Sequence, residues 1–145
     1  MIIDQQKISF TIYGEPVAQG RPKLTTINGM ARAYDPKKSR DWKDYVKLAA
    51  GEHAFDALLE GPLSLEVTIY RQTTKAISSS KKKSEAAEMG ELLPVSKPDV
   101  DNYLKGIKDA LNGVIWKDDS QVTDVIARKR YSARPRVEVT ITTLQ

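Results

Sequence analysis

The sequence feature that most constrains the fold is an unbroken alternation of apolar and polar side chains over residues 63–70. Leu63, Leu65, Val67 and Ile69 fall on one side of this segment, and a more polar residue separates each from the next. A period of two is that of a β-strand with one buried face. The chain must therefore build a sheet and cover one of its faces with other elements.

Two other segments, residues 7–13 and 137–142, show the same alternation over shorter stretches, and residues 121–131 are interpreted as a further strand. The first is followed by GEPVAQGRPK, a proline- and glycine-rich loop, and Pro135 marks a turn before the last. We therefore predict four strands.

Two segments carry apolar residues at the three-to-four spacing of a helix. The first covers residues 36–59, with Asp35 as N-cap and Pro36 at the first helical position, and it ends at Gly61-Pro62. The second covers residues 100–112 and ends at an Asn-Gly pair. We therefore predict two main helices.

Residues 71–96 show no steady period and contain the run SSSKKKSE. A long connection without structure is usually functional or disordered, so we expect a mobile basic arm with a helical turn around 84–90. The order strand, helix, strand, arm, helix, strand, strand indicates an α+β fold, with a single mixed or antiparallel sheet and two main helices on one face. With 145 residues and no repeat or linker, one domain is expected over residues 1–145.

Composition excludes several classes of protein. Because the chain has no cysteine, it has no disulfide, no thiolate zinc site and no thiol nucleophile. No window approaches the roughly 18 apolar residues that cross a bilayer, and the first residues lack the apolar run of a signal peptide. We therefore expect a cytoplasmic protein with no membrane partner and no small-molecule cofactor.

The net charge of +4 is modest, but the charges are unevenly distributed. An acidic cluster lies between two basic segments, which contain Arg71, Lys75, Lys81, Lys82 and Lys83 in one and Arg128, Lys129, Arg130, Arg134 and Arg136 in the other. Basic patches around an acidic centre suit a polyanion whose phosphate approaches a metal ion. A solvated surface with ordinary charges is the alternative interpretation.

Asp99 and Asp101 flank the predicted start of the second helix. Pro98 disfavours helical geometry in the residue before it, so the chain reaches Asp99 in an extended conformation. Alternate residues of an extended backbone point the same way, so the two carboxylates can converge on one cation, whereas within a regular helix they would diverge by about 200 degrees. One of the two aspartates is equally well explained as an N-cap, whose negative charge interacts favourably with the helix dipole.

Capping does not account for a second acidic pair, Asp118-Asp119, after the second helix. Carboxylates without histidine or cysteine partners favour Mg²⁺ or Mn²⁺. The helix carries the chain about 17 Å away from Asp101, and the six residues from Gly113 to Asp119 span at most about 20 Å. Asp119 therefore reaches Asp101 only if this segment doubles back along the helix, and otherwise the pair serves the site of a partner subunit.

Lys105 follows Asp101 by one helical turn, and Lys108 continues the same face. An Asp–Lys pair at this spacing stabilises a helix, whereas an ammonium group beside a metal site can neutralise a scissile phosphate. An EF-hand is excluded because Leu104 stands where its loop requires glycine. The single histidine, His53, is predicted to pack on the apolar side of the first helix rather than to act in catalysis.

Residues 97–122, KPDVDNYLKGIKDALNGVIWKDDSQV, closely resemble the core signature of the RusA-type Holliday junction resolvases, small endodeoxyribonucleases common in phages and prophages. The resemblance rests on Asp-x-Asp-Asn, the lysine four residues after the second aspartate, Asp-Ala-Leu, and Asp-Asp-Ser-Gln. The N-terminal GEPVAQGRPK is similar to a Gly-x-Pro-x-x-x-x-Arg-Pro element of these proteins, and the final strands extend the likeness in layout.

The resemblance implies a homodimeric, Mg²⁺-dependent nuclease, bacterial or phage-encoded, that resolves four-way DNA junctions by paired symmetric cuts in recombination and repair. Asp99, Asp101 and Asp119 resemble the metal-binding carboxylates, Asp118 an assisting ligand, and Lys105 the catalytic lysine. The basic residues expected to contact the DNA backbone are Arg21, Lys23, Lys81, Lys82, Lys83, Lys97 and Lys108. A turn about one residue shorter than in some relatives leaves open which of the two adjacent aspartates faces the metal. The apolar residues around Trp116 are the candidate dimer surface.

Two other functions stay open on the sequence alone. A junction- or DNA-binding protein without catalysis would share the basic residues but would not require all of Asp99, Asp101, Lys105 and Asp119. A metal-dependent phosphohydrolase acting on nucleotides would need neither a dimer nor a basic arm.

Overall fold

Four strands form one mixed sheet, and two more form a separate hairpin. The computed structural model describes residues 5–20, 23–34 and 36–145. The strands are β1 (Lys7–Tyr13), β2 (Lys23–Ile27), β3 (Met30–Tyr34), β4 (Leu63–Gln72), β5 (Val122–Ser132) and β6 (Arg136–Thr143). The order across the main sheet is β1-β6-β4-β5, in which β4 and β5 run parallel and the other neighbours antiparallel. The predicted mixed sheet is confirmed.

One face of this sheet is apolar because the alternation of β4 matches that of its neighbour β6. Leu65 lies opposite Ile141 and Val67 opposite Val139, and all four side chains are buried. The residues between them are half-buried and more polar, so the other face of the sheet can meet water. The sheet therefore needs a cover on one face only.

Two of the four α-helices in the described ranges supply that cover. The helices are α1 (Lys37–Gly51), α2 (Lys75–Ser78), α3 (Lys81–Glu88) and α4 (Val100–Leu111). The long helices α1 and α4 contact each other and the sheet, and they bury one apolar stripe each, which contains Trp42, Val46 and Ala50 in α1 and Tyr103, Ile107, Ala110 and Leu111 in α4. The prediction of an α+β fold with two main helices on one face is confirmed. Across the described ranges, no helix is both long and apolar enough to span a bilayer.

The first helix is shorter than its apolar spacing suggests. It begins at Lys37, with Pro36 as the capping residue, and it ends at Gly51 rather than at residue 59. Beyond Gly51 the apolar spacing continues to Ala57, but Ala57 is exposed in the structure. His53 therefore lies outside the helix, exposed, with its ring stacked on Phe10 at a centroid distance of 5.3 Å. The expected N-cap, Asp35, lies outside the described residues.

The hairpin of β2 and β3 was not predicted. Its strands pair in antiparallel register through a two-residue turn, Asn28-Gly29, and both turn residues have positive φ, 52° and 78°. An Asn-Gly pair between two short strands is the sequence signal of this turn, because both positions require the left-handed region. The signal was present in the sequence, but the flanking residues do not alternate clearly.

The segment 71–96 contains two short helices instead of a structureless connection. Each begins at a hydroxyl N-cap: Thr74 accepts a hydrogen bond from the backbone N–H of Ile77, and Ser80 accepts one from that of Lys83. The end of α3 is tied to the turn between β5 and β6 by Glu88, whose carboxylate accepts hydrogen bonds from Ser132 and from the backbone of the next residue. The helical turn expected around 84–90 overlaps α3, and the mobility of the segment stays a prediction.

Truncation of a buried leucine tests how much the packing of α4 contributes to stability. Leu111→Ala should lower the free energy of unfolding by about 2–5 kcal/mol, because it removes a fully buried side chain and leaves a cavity. Leu48→Ala is the matched control on α1, where the side chain is 72% exposed and the expected change is within about 0.5 kcal/mol. Denaturant unfolding measures both, and equal losses would contradict this account of the core.

Candidate active site

The chain enters α4 in an extended conformation, as the proline predicts. Asp99 is the residue before the first helical position, with φ −69° and ψ 151°, and the Lys97-Pro98 peptide before it is cis. The carboxylate of Asp99 accepts no hydrogen bond from the described N–H groups of the first turn of α4, so it is not used as a side-chain cap. Asp101 lies in that first turn and is exposed.

Four of the predicted site residues, Lys108 among them, line one open cleft on the outer side of α4. Its volume is about 430 Å³, and it is lined by Asp101, Leu104, Lys105, Lys108, Asp109 and Asp119. Asp101 and Lys105 come from successive turns of α4, whereas Asp119 comes from the 3-10 turn Asp119–Gln121 after it. Three carboxylates and two ammonium groups, Asp109 and Lys108 included, therefore share one solvent-accessible space.

Asp119 reaches this cleft because the chain doubles back after α4. Gly113, with φ 78°, starts the reversal, and its N–H donates to the carbonyl of Trp116 at 2.8 Å. Ile115 and Trp116 are buried, and the carbonyl of Ile115 accepts a hydrogen bond from the N–H of Leu59 at 2.9 Å. The length of this segment allows Asp119 to reach either Asp101 of its own chain or the site of a partner subunit. In the structure, Asp119 lines the same cleft as Asp101 of its own chain.

Asp118 and Asp119 have different surroundings. The Asp118 carboxylate accepts a hydrogen bond from the Ser120 hydroxyl. The backbone N–H of Asp118 donates to the side-chain oxygen of Gln121 at 2.7 Å. The amide of Gln121 in turn donates to the carbonyl of Leu59 at 2.9 Å. Asp118 is therefore part of the bonding that holds the turn, whereas Asp119 lines the cleft.

The apolar residues around Trp116 belong to the core. Trp116 is fully buried and Ile115 is 1% exposed, so the candidate dimer surface proposed for them is wrong. The indole N–H of Trp116 donates to Oδ1 of Asp119 at 2.8 Å. A short apolar stretch between polar residues looks the same in sequence whether it covers a core or faces a partner.

Asp99 lies in a second cleft, on the other side of the start of α4. This cleft has a volume of about 640 Å³ and is lined by Ala18, Gln19, Gly20, Lys97, Pro98, Asp99 and Asn102. Because residues from Val100 onward are helical, the extended alternation that would bring Asp99 and Asp101 together stops after one residue. The two carboxylates therefore line neighbouring clefts.

The loop before β2 is held against α4 at this second cleft. The backbone N–H of Gln19 donates to the carbonyl of Asn102 at 2.9 Å, and that of Gly20 donates to the Ser39 hydroxyl at 2.9 Å. A Cβ on Gly20 would lie 2.9 Å from the ring of Pro36, so only glycine fits there without a shift. The predicted DNA-contacting residue Arg21, which follows directly, lies outside the described residues.

The carboxylates of the first cleft are of the chemical type that binds divalent metal ions. In the parts of the chain that the structure describes, no three acidic or histidine side chains are close enough to form a metal cage by themselves. Mg²⁺ is ordinarily held by one or two carboxylates, with waters and substrate phosphates filling the other positions. Asp101 and Asp119, in one open cleft, match that requirement.

Basic side chains from two strands fasten the segment that leads into α4. The ammonium group of Lys129 on β5 donates to the carbonyls of Ser96 and Pro98 at 2.7 and 2.9 Å. Arg71 on β4 donates to the same Ser96 carbonyl at 3.1 Å. Both residues belong to the basic patches predicted from the sequence, but this role was not predicted, because nothing in their spacing indicates a contact with a loop about thirty residues away.

Other arginines of the second basic segment are also paired within the chain. Arg128 forms an ion pair with Glu66, and Arg136 forms one with Glu138 at 3.0 Å. Arg136 also stacks over the ring of Tyr70, 3.9 Å from its centroid. Burial, together with the charge of Glu138, raises the pKa of Tyr70, so the phenol stays neutral beside this network. These arginines contribute less positive surface than their number suggests.

The remaining predicted DNA contacts are spread over four places. Lys81, Lys82 and Lys83 are exposed on the first turn of α3. Lys97 is exposed beside Asp99, and Lys108 is half-buried in the cleft with Asp101. Lys23 begins β2.

A mixed sheet covered on one face by two helices, with a carboxylate–lysine cleft along the second helix, defines an α+β protein whose site suits the binding of a metal and a phosphate. The family model described as endodeoxyribonuclease RusA matches residues 13–142. The chain belongs to the RusA endodeoxyribonuclease family, which implies endonuclease activity on DNA.

A Bacillus subtilis (strain 168) protein with the name "Uncharacterized protein YqaN" is similar to this chain. The two are 55% identical over 134 residues, which cover 92% of this chain and 94% of that protein. The match therefore includes both clefts and the reversal after α4.

Removal of the Lys129 ammonium group should loosen the start of α4. In Lys129→Met we expect amide hydrogen exchange in the first turn of α4 to become about tenfold faster, because two charge-assisted hydrogen bonds to the preceding segment no longer form. Lys97→Met is the matched control, since Lys97 is exposed in the same segment. Equal exchange rates in the two variants would contradict a positioning role for Lys129.

Proposed function

We propose that the protein is a Mg²⁺-dependent, structure-selective endodeoxyribonuclease that resolves four-way DNA junctions. The observation that carries the proposal is the single cleft lined by Asp101, Lys105 and Asp119 in a chain of the RusA family. A carboxylate pair with a lysine suits phosphodiester hydrolysis because it combines metal ligands with a cation for the phosphate.

Asp101 and Asp119 would hold the divalent ion, Mg²⁺ or Mn²⁺, and Asp99 would join them from the neighbouring cleft as substrate binds. A bound Mg²⁺ would supply Lewis-acid stabilisation of phosphate charge and lower the pKa of coordinated water. Asp118 would support the turn that presents Asp119 rather than serve as a main ligand, because its carboxylate is occupied by Ser120.

Lys105 would place its ammonium group beside the scissile phosphate, where it offsets negative charge that develops in the transition state. In the reaction, water adds a hydroxyl to phosphorus and the bond from phosphorus to the 3′ oxygen breaks. The leaving oxygen takes up a proton, so the products are a 5′-phosphate and a 3′-hydroxyl. Such a nick can be sealed by ligation.

The basic residues would bind the DNA backbone without reading bases. Lys81, Lys82 and Lys83 offer three adjacent exposed charges, and Lys97 and Lys108 lie beside the two clefts. Arg21 and Lys23 follow the loop that lines the second cleft. We further propose that the protein is a cytoplasmic homodimer, because two symmetric cuts in one junction require two sites.

Replacement of the two adjacent aspartates separates their roles. With a labelled four-way junction and Mg²⁺, Asp119→Asn should slow cleavage by about two to three orders of magnitude, because loss of one metal ligand removes several kcal/mol of stabilisation. Asp118→Asn is the matched neighbour and should slow cleavage by less than about tenfold. Asp101→Asn should behave as Asp119→Asn does, while junction binding without metal is retained in all three.

The same assay distinguishes the other functions. An absence of paired cuts by the wild type would favour a DNA-binding protein without catalysis, and hydrolysis of free nucleotides in preference to junctions would favour a phosphohydrolase. Undiminished cutting by Asp101→Asn would refute the assignment of the cleft. Loss of metal-free binding in that variant would show that the carboxylate also contributes to DNA binding.

The lysines of α3 can be tested through the salt dependence of binding. Replacement of Lys81, Lys82 and Lys83 by glutamine should weaken junction binding and reduce the slope of log affinity against log salt by about 0.9 for each phosphate that is no longer neutralised. Lys38→Gln with Lys47→Gln, two exposed lysines on α1, serves as the control. An unchanged slope in the triple variant would remove α3 from the interface.

A further inference from the structure

A hydrogen bond connects the cleft to the hydrophobic core. Trp116 has no exposed surface, yet its indole N–H reaches Oδ1 of Asp119 at 2.8 Å. Asp119 is half-buried and lines the cleft with Asp101 and Lys105. A buried side chain therefore contacts a carboxylate that faces solvent.

Trp116 is held firmly enough to set the direction of that carboxylate. Its carbonyl accepts a hydrogen bond from Gly113 at 2.8 Å, and its backbone forms bridges with both Leu59 and Asn112. Its ring is packed in the main core cluster. Such a ring cannot turn without disturbing its neighbours, since protein interiors are close-packed.

We propose that Trp116 is a positioning residue for the Asp119 carboxylate. The indole holds Oδ1 at the core side of the turn, so that Oδ2 is the oxygen presented to the cleft. This inference rests on the proposed function of Asp119 as a metal ligand. Groups that hydrogen-bond a ligating carboxylate fix its orientation, and their removal typically costs 10–100-fold in metal affinity or activity.

An alternative role for the contact is to satisfy a buried donor. The second tryptophan of the chain, Trp42, provides a comparison. Trp42 is 7% exposed, and its indole N–H has no acceptor among the described residues. The distinguishing feature of the Trp116 pairing is that its acceptor, Asp119, lines the cleft.

The two tryptophans provide a matched pair of variants. Trp116→Phe and Trp42→Phe remove the same atoms from buried positions, but only the first removes a hydrogen bond to Asp119 among those described. Mn²⁺ binding to the DNA-free protein is measured by electron paramagnetic resonance, and junction cleavage is measured against Mg²⁺ concentration. We expect Trp116→Phe to weaken Mn²⁺ binding about tenfold and to raise the Mg²⁺ concentration for half-maximal cleavage by a similar factor. Trp42→Phe should change neither by more than about twofold.

The outcomes separate this inference from the proposed function. Equal Mn²⁺ affinities in the two tryptophan variants, with Asp119→Asn strongly impaired, would overturn the positioning role while leaving Asp119 as a ligand. Unchanged Mn²⁺ binding and cleavage in Asp119→Asn, or no Mn²⁺ binding by the wild type, would instead contradict the proposed function on which the inference rests.

A second measurement does not depend on the stability of Trp116→Phe. The chain has two tryptophans, so its ¹⁵N-labelled form gives two indole N–H signals, which the Trp42→Phe variant assigns. On titration with Mg²⁺, the Trp116 signal should shift while the Trp42 signal does not. A Trp116 signal that stays in place as Mg²⁺ saturates the protein would overturn the proposal.

Discussion

The reversal of the chain after α4 is the constraint on which the candidate site depends. α4 carries the chain away from Asp101, so a second carboxylate reaches the same cleft only if the following residues return along the helix. Burial of Ile115 and Trp116 drives that return, and the backbone hydrogen bond to Leu59 fixes its path. The hydrophobic core and the polar cleft are thus assembled by one short segment.

Several basic residues form hydrogen bonds or ion pairs with other groups of the fold. Lys129 and Arg71 hold the carbonyls of the segment that leads into α4, while Arg128 and Arg136 are paired with glutamates on the sheet. A positive charge that already has a carbonyl or carboxylate partner attracts phosphate less. The charge pattern of the sequence therefore overstates the positive surface of residues 128–136. It is a better guide to the positive surface of α3, where Lys81, Lys82 and Lys83 are exposed.

Elements with a strong period were predicted from sequence with the residues that they bury, whereas the weakly periodic β2–β3 hairpin was not predicted. The strand β4 and the helix α4 bury the residues that their patterns select, so local periodicity and tertiary packing agree. The predicted end of α1 was wrong by several residues, because apolar spacing alone does not show whether another element of the fold is there to pack against the helix. The hairpin at Asn28-Gly29 was missed because its strands are short and weakly alternating.

The sequence by itself determined which residue types surround the site: carboxylates before and after one helix, and a lysine one turn along it. Proline chemistry also determined the extended approach to Asp99. Only the tertiary structure decided that Asp119 rather than Asp118 lines the cleft with Asp101, and that Asp99 lies in the neighbouring one. The reason is that a residue's local pattern constrains its backbone, whereas the direction of a side chain in a turn depends on contacts with distant groups, here the indole of Trp116 and the carbonyl of Leu59.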